Sequence, residues 1–384
     1  MHKPGPYLAT ATTILAIAAL YTPQPLLPTL ARFFDVTRPT AGLLVTVTLL
    51  PLGFAPIVYG ILLERFSPKL MIQVSVFLLS VTEAGIAMSS SFPLVVLLRA
   101  VQGFLIPATL TALMTTTSAQ ATKQSVGRVM ALYVTSTILG GFLGRFGSGI
   151  IAAWFGWRAS FWVMALALLI NALFLFAFPS SPKPEQKQAL TLKLAWNIVM
   201  KRGFLPIFSA IFCLFFVFQA LLNFLPFRLE EFSQANTELR AAFLYFGYLA
   251  GLIASLTSTR TALRLGGEPR ALVIGLMLYL ISLFLFLFPM EIWLYMIMFL
   301  FCGSMFFVHS LAPGVLNARE REHKGVVNGL YIAFYYLGGT LGSYLPGFIY
   351  RDFGWEVFVL CLSGVLGLAV LLAWKAGQHL RPLP

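Results

Sequence analysis

Charged residues are scarce in this sequence. Asp, Glu, Lys and Arg make up 10% of its 384 residues, whereas soluble globular domains carry about 25%. Apolar residues reach 59%, so too little polar surface remains to cover a water-facing core. The composition excludes a soluble domain, a disordered chain and a coiled coil, and it indicates a protein whose solvent is mostly lipid.

Cysteine is also rare. Cys213, Cys302 and Cys361 are far apart and each lies in an apolar run, which excludes a C-x-x-C metal or redox site and a disulfide framework. H-E-x-x-H, G-x-S-x-G and P-loop patterns are missing too. We therefore expect no enzyme, no metal and no cofactor, and keep an intramembrane enzyme or receptor only as a remote alternative.

Twelve apolar runs are present, each long enough to cross a bilayer, since a spanning helix needs about 20 residues. They predict an all-α membrane protein whose function lies within the helix bundle. The predicted spans are residues 7–28, 39–62, 70–90, 93–118, 128–151, 157–178, 204–227, 240–260, 269–288, 291–316, 325–350 and 355–374.

Basic residues indicate how the chain is oriented. They are scattered singly, with no basic face, which argues against nucleic acid as a partner. With both termini in the cytoplasm, 18 Lys and Arg lie on cytoplasmic segments and six on outer loops. This asymmetry satisfies the positive-inside rule. We therefore expect a multi-pass protein of a bacterial inner membrane, monomeric, with cytoplasmic termini.

The chain contains an internal repeat. At an offset of 198 residues, Gly127–Trp157 aligns without gaps on Gly325–Trp355, with 14 identities in 31 positions. Two six-helix halves in parallel orientation are the internal symmetry of an alternating-access transporter. We therefore predict an N-terminal bundle at 1–178, a cytoplasmic linker with an amphipathic segment at 179–203, and a C-terminal bundle at 204–384.

Several motifs resemble those of the major facilitator superfamily (MFS), and the likeness covers essentially the whole chain. Gly60–Lys69 is similar to the family's loop between spans 2 and 3, with Glu64-Arg65 as its acid-Arg core. Arg99-Ala-Val-Gln102-Gly103 matches the R-x-x-Q-G motif of proton-coupled members. Gly140–Gly149 resembles the glycine-rich motif of efflux members, with Arg145 in place of its usual Pro.

The resemblance implies the MFS fold of 12 transmembrane helices in two pseudo-symmetric six-helix bundles. Further motifs, Gln24–Pro28, His309-Ser310 and Tyr335–Gly339, resemble a bacterial inner-membrane branch described as sugar- or drug-efflux permeases. One fold hosts many functions, so this likeness says little about the substrate.

Three charged residues lie well inside predicted spans: Glu83, Arg99 and Arg145. Ionisable groups within a membrane are costly and are functional candidates by default. Counting the helix rise per residue from the outer ends of their spans places all three side chains in one layer, about 9–12 Å below those ends. Glu83 and Arg99 then form a proton-coupling pair, with substrate competing for the arginines; a permanent structural salt bridge is the alternative.

His309 is a candidate second proton site, since a histidine pKa lies near 6.5; a neutral, hydrogen-bonded histidine is the alternative. The candidate substrate contacts come from spans 1 and 7, which usually line the cavity in this fold, and from spans 4, 5 and 11. Ordinary interhelical hydrogen bonding or packing is the alternative for the polar and aromatic members. The candidate contacts are Tyr21, Gln24, Gln102, Arg145, Gln219, Asn223 and Tyr335.

Three prolines at 23, 25 and 28 predict a break near the outer end of span 1 that frees backbone carbonyls. Glycine pairs spaced by four, at 140 and 144, 338 and 342, and 247 and 251, predict close helix packing at the moving interface between the halves. Glu64, Arg65 and Arg264 are candidate cytoplasmic gate residues; charge that only fixes topology is the alternative.

These features predict a proton-coupled secondary transporter that moves a small amphipathic or anionic organic compound by alternating access. The direction expected is export by antiport. The alternative is an importer or facilitator of an organic acid or sugar. The expected partners are a small-molecule substrate, protons and the lipid bilayer.

Overall fold

The structure, a computed structural model, describes residues 5–120, 126–178, 192–320 and 322–379. Within these ranges the chain is helical almost throughout and contains no β-strand. The helices of the N-terminal half are α1 (Gly5–Tyr21), α2 (Leu27–Phe34), α3 (Arg38–Leu52), α4 (Ala55–Arg65), α5 (Pro68–Met88), α6 (Phe92–Gln120), α7 (Val126–Phe155) and α8 (Trp157–Phe174).

The described part of the C-terminal half begins with a short helix in the predicted linker, and seven further helices follow it. They are α9 (Leu192–Val199), α10 (Phe204–Phe232), α11 (Thr237–Leu244), α12 (Gly247–Arg264), α13 (Glu268–Leu285), α14 (Glu291–Arg319), α15 (Lys324–Gly342) and α16 (Pro346–His379). Residues 179–191 of the predicted linker lie outside the described ranges, and in its described part, residues 192–203, α9 is the only helix.

Ten helical segments are long and apolar enough to cross a membrane, and α3 with α4, bent by 45°, makes an eleventh span among the described residues. These eleven coincide with predicted spans 1–10 and 12. Predicted span 11 begins as α15, which ends at Gly342, and continues into the start of α16. A non-helical Gly354 inside α16, with φ of 82°, marks the corner between predicted spans 11 and 12.

The chain divides into two compact units. The first holds the described residues up to 178 together with Ser233–Ala242, and the second holds 192–232 and 243–379. The division near the middle of the chain resembles the predicted two bundles. The difference is Ser233–Ala242, which we call the strap; it lies in the second half of the sequence but packs with the first unit.

The two units repeat the same set of helix contacts. In the first unit α1 packs on α7, α3 on α6, and α5 on both α6 and α8. In the second unit the corresponding contacts join α10 to α15, α12 to α14, and α13 to both α14 and α16. The sequence repeat is therefore also a repeat of packing.

The glycine pairs show this repeat at atomic detail. A Cβ on Gly144 would collide with the carbonyl of Ala18 in α1, and a Cβ on Gly342 would collide with the carbonyl of Phe216 in α10. Ala18 and Phe216 are themselves 198 residues apart. The other four glycines also meet helices of their own unit: Gly140 meets α1, Gly338 meets α10, and Gly247 and Gly251 meet α14. These glycines hold each bundle together, which corrects the expectation that they pack between the halves.

Candidate functional site

The predicted break in span 1 is present and lies at the centre of the first unit. Helix α1 ends at Tyr21, and a short 3-10 turn, Gln24–Leu26, separates it from α2. Proline has no N–H, so Pro23 cannot bond the carbonyl of Ala19 four residues earlier. That carbonyl needs another donor because it is buried.

Arg99 of α6 supplies the donor. Its Nη1 donates to the carbonyl of Ala19 at 2.9 Å, its Nη2 to Leu20 at 2.5 Å, and its Nε to Leu44 of α3 at 2.7 Å. Thr48 of α3 donates to the backbone carbonyl of Arg99 at 3.0 Å. The guanidinium thus ties α6 to the end of α1 and to α3, and it is completely buried.

Gln102 connects this arginine to Glu83 of α5. The Gln102 Oε1 accepts from Arg99 Nη1 at 2.6 Å, and its Nε2 donates to Glu83 Oε1 and to Thr82 Oγ1, both at 3.0 Å. Glu83 and Gln102 are also completely buried. The second carboxylate oxygen of Glu83, Oε2, has no hydrogen-bond partner in the described part of the chain.

Glu83 and Arg99 therefore lie in one buried network, but the amide of Gln102 lies between them. Gln102, which we expected to contact substrate, has its carbonyl oxygen and both its N–H groups occupied by neighbours within the bundle. Its hydrogen bonds make it a link between the acid and the arginine.

Arg145 of α7 lies beside the same break in span 1. Its guanidinium carbon lies 3.6 Å from the centre of the Tyr21 ring, its Nε donates to Gln24 Oε1, and its Nη1 donates to the carbonyl of Gly141 at 2.7 Å. Arg145 and Gln24 are completely buried and Tyr21 is 8% exposed. The structure thus brings three of the predicted substrate contacts together at one place in the first unit.

In the second unit, His309 of α14 lies in an aromatic cluster. The Tyr331 hydroxyl is 2.6 Å from His309 Nδ1 and donates to its backbone carbonyl at 3.1 Å. Tyr335 stacks on Phe215 at 3.6 Å between ring centres and lies 4.6 Å from the His309 ring. His309 and Tyr335 are both half-buried.

The two amides of α10 differ in their surroundings. Asn223 Nδ2 donates at 2.9 Å to the carbonyl of Ser343, the capping residue that follows α15, so it links α10 to the end of α15. Gln219 is completely buried, and neither its Oε1 nor its Nε2 has a hydrogen-bond partner among the described residues. A Cβ on Gly339 would lie 3.2 Å from Gln219 Cγ, which places this amide against α15.

The predicted gate residues lie at helix ends. Arg65 ends α4 and Arg264 ends α12, and both are exposed. The side chain of Glu64 lies outside the described part of the chain. Glu268, in the first turn of α13, lies beside Gly314 of α14: a Cβ on that glycine would be 3.4 Å from its carboxylate oxygens.

Two polar contacts were missed by the sequence reasoning. Glu320, buried at the end of α14, accepts from Lys201 and from the backbone N–H groups of Glu322 and His323. Thr29 donates to Glu238 of the strap. In the sequence these residues look like ordinary loop charges and a loop hydroxyl, so no local signal could have identified them.

The fold is that of a multi-pass membrane protein, with eleven candidate spans among the described residues and two compact units that repeat the same helix contacts. The sequence model of the Major Facilitator Superfamily matches residues 9–319. The chain therefore belongs to this superfamily, which confirms the predicted family and fold.

Relatives and solved structures agree with this assignment. The chain is 25% identical to the inner membrane transport protein YnfM of Escherichia coli (strain K12), covering 96% of this chain and 89% of the relative. It is also 25% identical to the uncharacterized MFS-type transporter YybF of Bacillus subtilis (strain 168), covering 95% and 90%.

Two solved structures share the fold. A bacterial homologue of the human lysosomal transporter Spinster superposes with a TM-score of 0.74 at 16% identity, covering 99% of this chain and 98% of that one. A variant of the nucleoside transporter NupG superposes with a TM-score of 0.76 at 17% identity, covering 97% and 100%.

Proposed function

We propose that this protein is a proton-coupled secondary transporter that exports a small amphipathic or anionic organic compound by antiport. It acts as a monomer in a bacterial inner membrane, with both termini in the cytoplasm, and works by alternating access. The observation that carries the proposal is the buried polar network of the first unit. There a carboxylate with a vacant oxygen, Glu83, is joined through an amide to Arg99.

Glu83 is the proton carrier in this proposal. Gln102 donates to Glu83 Oε1, whereas Oε2 has no hydrogen-bond partner among the described residues. A proton added at Oε2 therefore displaces none of these hydrogen bonds. Such a carboxyl can load and unload without rebuilding its surroundings. Burying a carboxylate is costly unless it is compensated, and Arg99 supplies the nearby positive charge. His309, held by Tyr331, is a second candidate proton site.

Arg145 is the anchor for a negative group of the substrate. Glu83, Arg99 and Arg145 are completely buried in the first unit, with one more positive than negative formal charge among them. The guanidinium is oriented by Tyr21 and Gln24 at the break in span 1. A compound that carries a carboxylate and an apolar body fits a cation set against an aromatic ring.

Gln219 is the proposed polar contact from the second unit, with Asn223 and Tyr335 on the same unit as further contacts. A buried amide without partners costs about 1–3 kcal/mol for each unsatisfied group. A ligand that hydrogen-bonds to Gln219 recovers this free energy. Glu64, Arg65 and Arg264 act as cytoplasmic gate residues in the same scheme.

A second candidate function is import or facilitated transport of an organic acid or sugar. In this function the net positive charge of Glu83, Arg99 and Arg145 binds an organic acid. The amides of α10 can instead hydrogen-bond to the hydroxyl groups of a sugar. The Escherichia coli relative YnfM is described as an inner membrane transport protein. This supports transport rather than catalysis as the activity of the present chain.

A thermal-shift screen tests the proposal. Purified protein is heated with drugs, sugars, carboxylates, siderophores and lipids, since a ligand of the folded state raises the apparent stability. We expect an anionic compound to stabilise the wild type and to exchange in a counterflow assay. Stabilisation is lost in Arg145→Gln and kept in Arg158→Gln, whose arginine lies at the outer end of α8 on the carbonyl of Ser89.

Stabilisation by neutral compounds only, or equal stabilisation of both arginine variants, contradicts the assignment of Arg145. Transport that requires ATP contradicts secondary transport. The unfolding transition of Arg145→Gln without ligand shows whether this variant is folded. Tyr21→Phe, which keeps the ring beneath Arg145, should retain ligand stabilisation if the ring and cation form the site.

A further inference from the structure

Glu83, Gln102 and Arg99 form one unbroken path from an acid on α5 to the broken end of α1. Glu83 Oε1 accepts from Gln102, Gln102 accepts from Arg99, and Arg99 donates to the last carbonyls of α1. The residues just beyond those carbonyls are Tyr21 and Gln24, which hold Arg145.

We propose that Gln102 is the positioning residue through which the charge on Glu83 sets how firmly Arg99 holds the break in α1. The inference rests on the proposed function, in which Glu83 carries the coupling proton. It adds the route by which protonation of Glu83 affects the substrate contacts Tyr21, Gln24 and Arg145.

The hydrogen-bond inventory of Gln102 supports the route. Its two N–H groups are used by Thr82 and Glu83, and its carbonyl oxygen accepts from Arg99. With no bonding group to spare, the amide cannot turn without breaking a bond at both ends. A change in how strongly Glu83 accepts is therefore felt at Arg99.

The direction of the effect follows from hydrogen-bond strength. Bonds to an ionised acceptor are roughly twice as strong as neutral ones. When Glu83 is ionised, its hydrogen bond from Gln102 Nε2 is strong, and the amide is held in the orientation in which Gln102 Oε1 accepts from Arg99. When a proton adds at the vacant Oε2, the bond to Oε1 becomes a neutral one and Gln102 loosens. The end of α1 is then held less tightly.

Other charges near Glu83 do not provide this link. The elements packed on α5 are α6, α8, α1 and the turn Leu175–Ala177. Their ionisable groups in the described ranges are Arg99 on α6, Arg158 on α8, and Tyr7 and Tyr21 on α1. Arg158 bonds the outer end of α5 at Ser89, Tyr7 is at the far end of α1, and Tyr21 lies against Arg145. Of these groups, only Arg99 is linked to Glu83 by hydrogen bonds, and Gln102 is the link.

Hydrogen exchange of the break tests the inference without a known substrate. Full-length protein in lipid nanodiscs is exchanged at several pH values, and the peptides that cover residues 20–32 are followed by mass spectrometry. Wild type is compared with Glu83→Gln at the same pH, so the intrinsic pH dependence of exchange cancels. The same comparison is repeated in a Gln102→Met background and in a Thr48→Val background.

The wild type should exchange about fivefold more slowly than Glu83→Gln at high pH and at the same rate at low pH, where Glu83 carries its proton. Fivefold corresponds to about 1 kcal/mol. In the Gln102→Met background, Glu83→Gln should change nothing at any pH. In the Thr48→Val background, which removes a hydroxyl bonded to the backbone carbonyls of Arg99 and Leu44 but leaves Gln102 in place, the fivefold difference should persist.

A fivefold difference that survives Gln102→Met overturns the inference. If Gln102→Met does not fold, Gln102→Asn replaces it, because its shorter amide cannot reach Glu83 and Arg99 together. Infrared pH-difference spectra of the Glu83 carboxyl separate the two proposals. A carboxyl that never titrates defeats the proposed function, whereas a carboxyl that titrates without affecting the break defeats only the role of Gln102.

Discussion

Gly156 and Gly354 adopt the same left-handed backbone conformation, with φ of 80° and 82°, although 198 residues separate them. Each glycine forms the corner before the last helix of its bundle, and each is followed by a buried tryptophan, Trp157 or Trp355. An L-residue with a side chain rarely adopts this conformation. The two halves thus share a backbone geometry as well as a sequence pattern.

Replacing either corner glycine by alanine should lower the thermal stability of the protein. With ψ of 159° at Gly156 and -179° at Gly354, this backbone conformation is open almost only to glycine and costs about 1–3 kcal/mol for a residue with a Cβ. Gly156→Ala and Gly354→Ala should therefore each unfold at a lower temperature. Gly147→Ala is the matched control in α7, because its backbone is helical and, apart from that helix's own backbone and its chain neighbours, no atom of the described residues lies within 4 Å of its Cβ position. Equal transition temperatures for Gly147→Ala and the two corner variants would contradict this account.

Substitution of the close-packed glycines should lower stability for a different reason, namely a steric clash. Gly144→Ala and Gly342→Ala place a methyl group on a backbone carbonyl of α1 or α10, and a backbone cannot yield as a flexible side chain can. We expect each to destabilise its bundle by about 1–3 kcal/mol, measured by detergent unfolding of the purified protein. If these variants keep full stability and are instead trapped in one transport conformation, the glycines belong to the interface between halves after all.

Glu320 should make the protein lose stability in acid. The hydrogen bond from Lys201, with further bonds from the backbone N–H groups of His323 and Glu322, outweighs burial and lowers the pKa of Glu320 from 4.5 to about 2. A lowered folded-state pKa contributes stability that is complete above pH 4.5 and is lost as the pH falls towards 2.

Glu320→Gln should therefore have a lower melting temperature than the wild type at pH 7, and the difference should shrink between pH 4.5 and 2. Glu322→Gln is the control for a neighbouring exposed carboxylate, since the backbone N–H of Glu322 donates to Glu320 whereas its carboxylate lies near Glu320 without being one of the donors that lower the pKa. A difference between Glu320→Gln and wild type that stays constant from pH 7 to 2 would show that the charge of Glu320 contributes nothing.

The strap should be covalently trapped on the first unit. Thr29 donates to Glu238, and a Cβ on Gly149 would lie 2.7 Å from the carbonyl of Glu238. In a Cys361→Ser background, which removes the exposed thiol, the pair Thr29→Cys and Glu238→Cys should be joined by a short thiol-specific cross-linker that replaces the reach of the glutamate side chain. Gly149→Val should reduce the yield by displacing the strap. A cross-link whose yield is unchanged by Gly149→Val would contradict this packing.

Local patterns and the repeat predicted much of the fold. The missing N–H of Pro23 predicts a broken span and a freed carbonyl, and both are present. The offset of 198 residues predicts that Gly144 and Gly342 have equivalent partners, and they do. The sequence does not show which donor bonds to the freed carbonyl, because that donor, Arg99, lies on α6, far from α1 in the sequence.

The roles of individual polar residues were harder to predict for the same reason. Gln102 reads as a motif residue, and only the positions of α5 and α6 show that it lies between Glu83 and Arg99. Glu320 and Lys201 read as topology charges because 119 residues separate them. Charge scarcity was the more reliable guide: it selected Glu83, Arg99 and Arg145, which are completely buried in the structure.

Gradient-driven transport by Glu83→Gln tests the central claim most directly. Proteoliposomes with the wild type or the variant are loaded with the compound that gives the largest shift in the thermal screen, and a pH gradient is imposed. The account predicts that the wild type accumulates the compound against its concentration gradient. Glu83→Gln should still exchange it in counterflow but should no longer respond to the pH gradient. Undiminished gradient-driven accumulation by Glu83→Gln would contradict the assignment of Glu83 as the proton carrier.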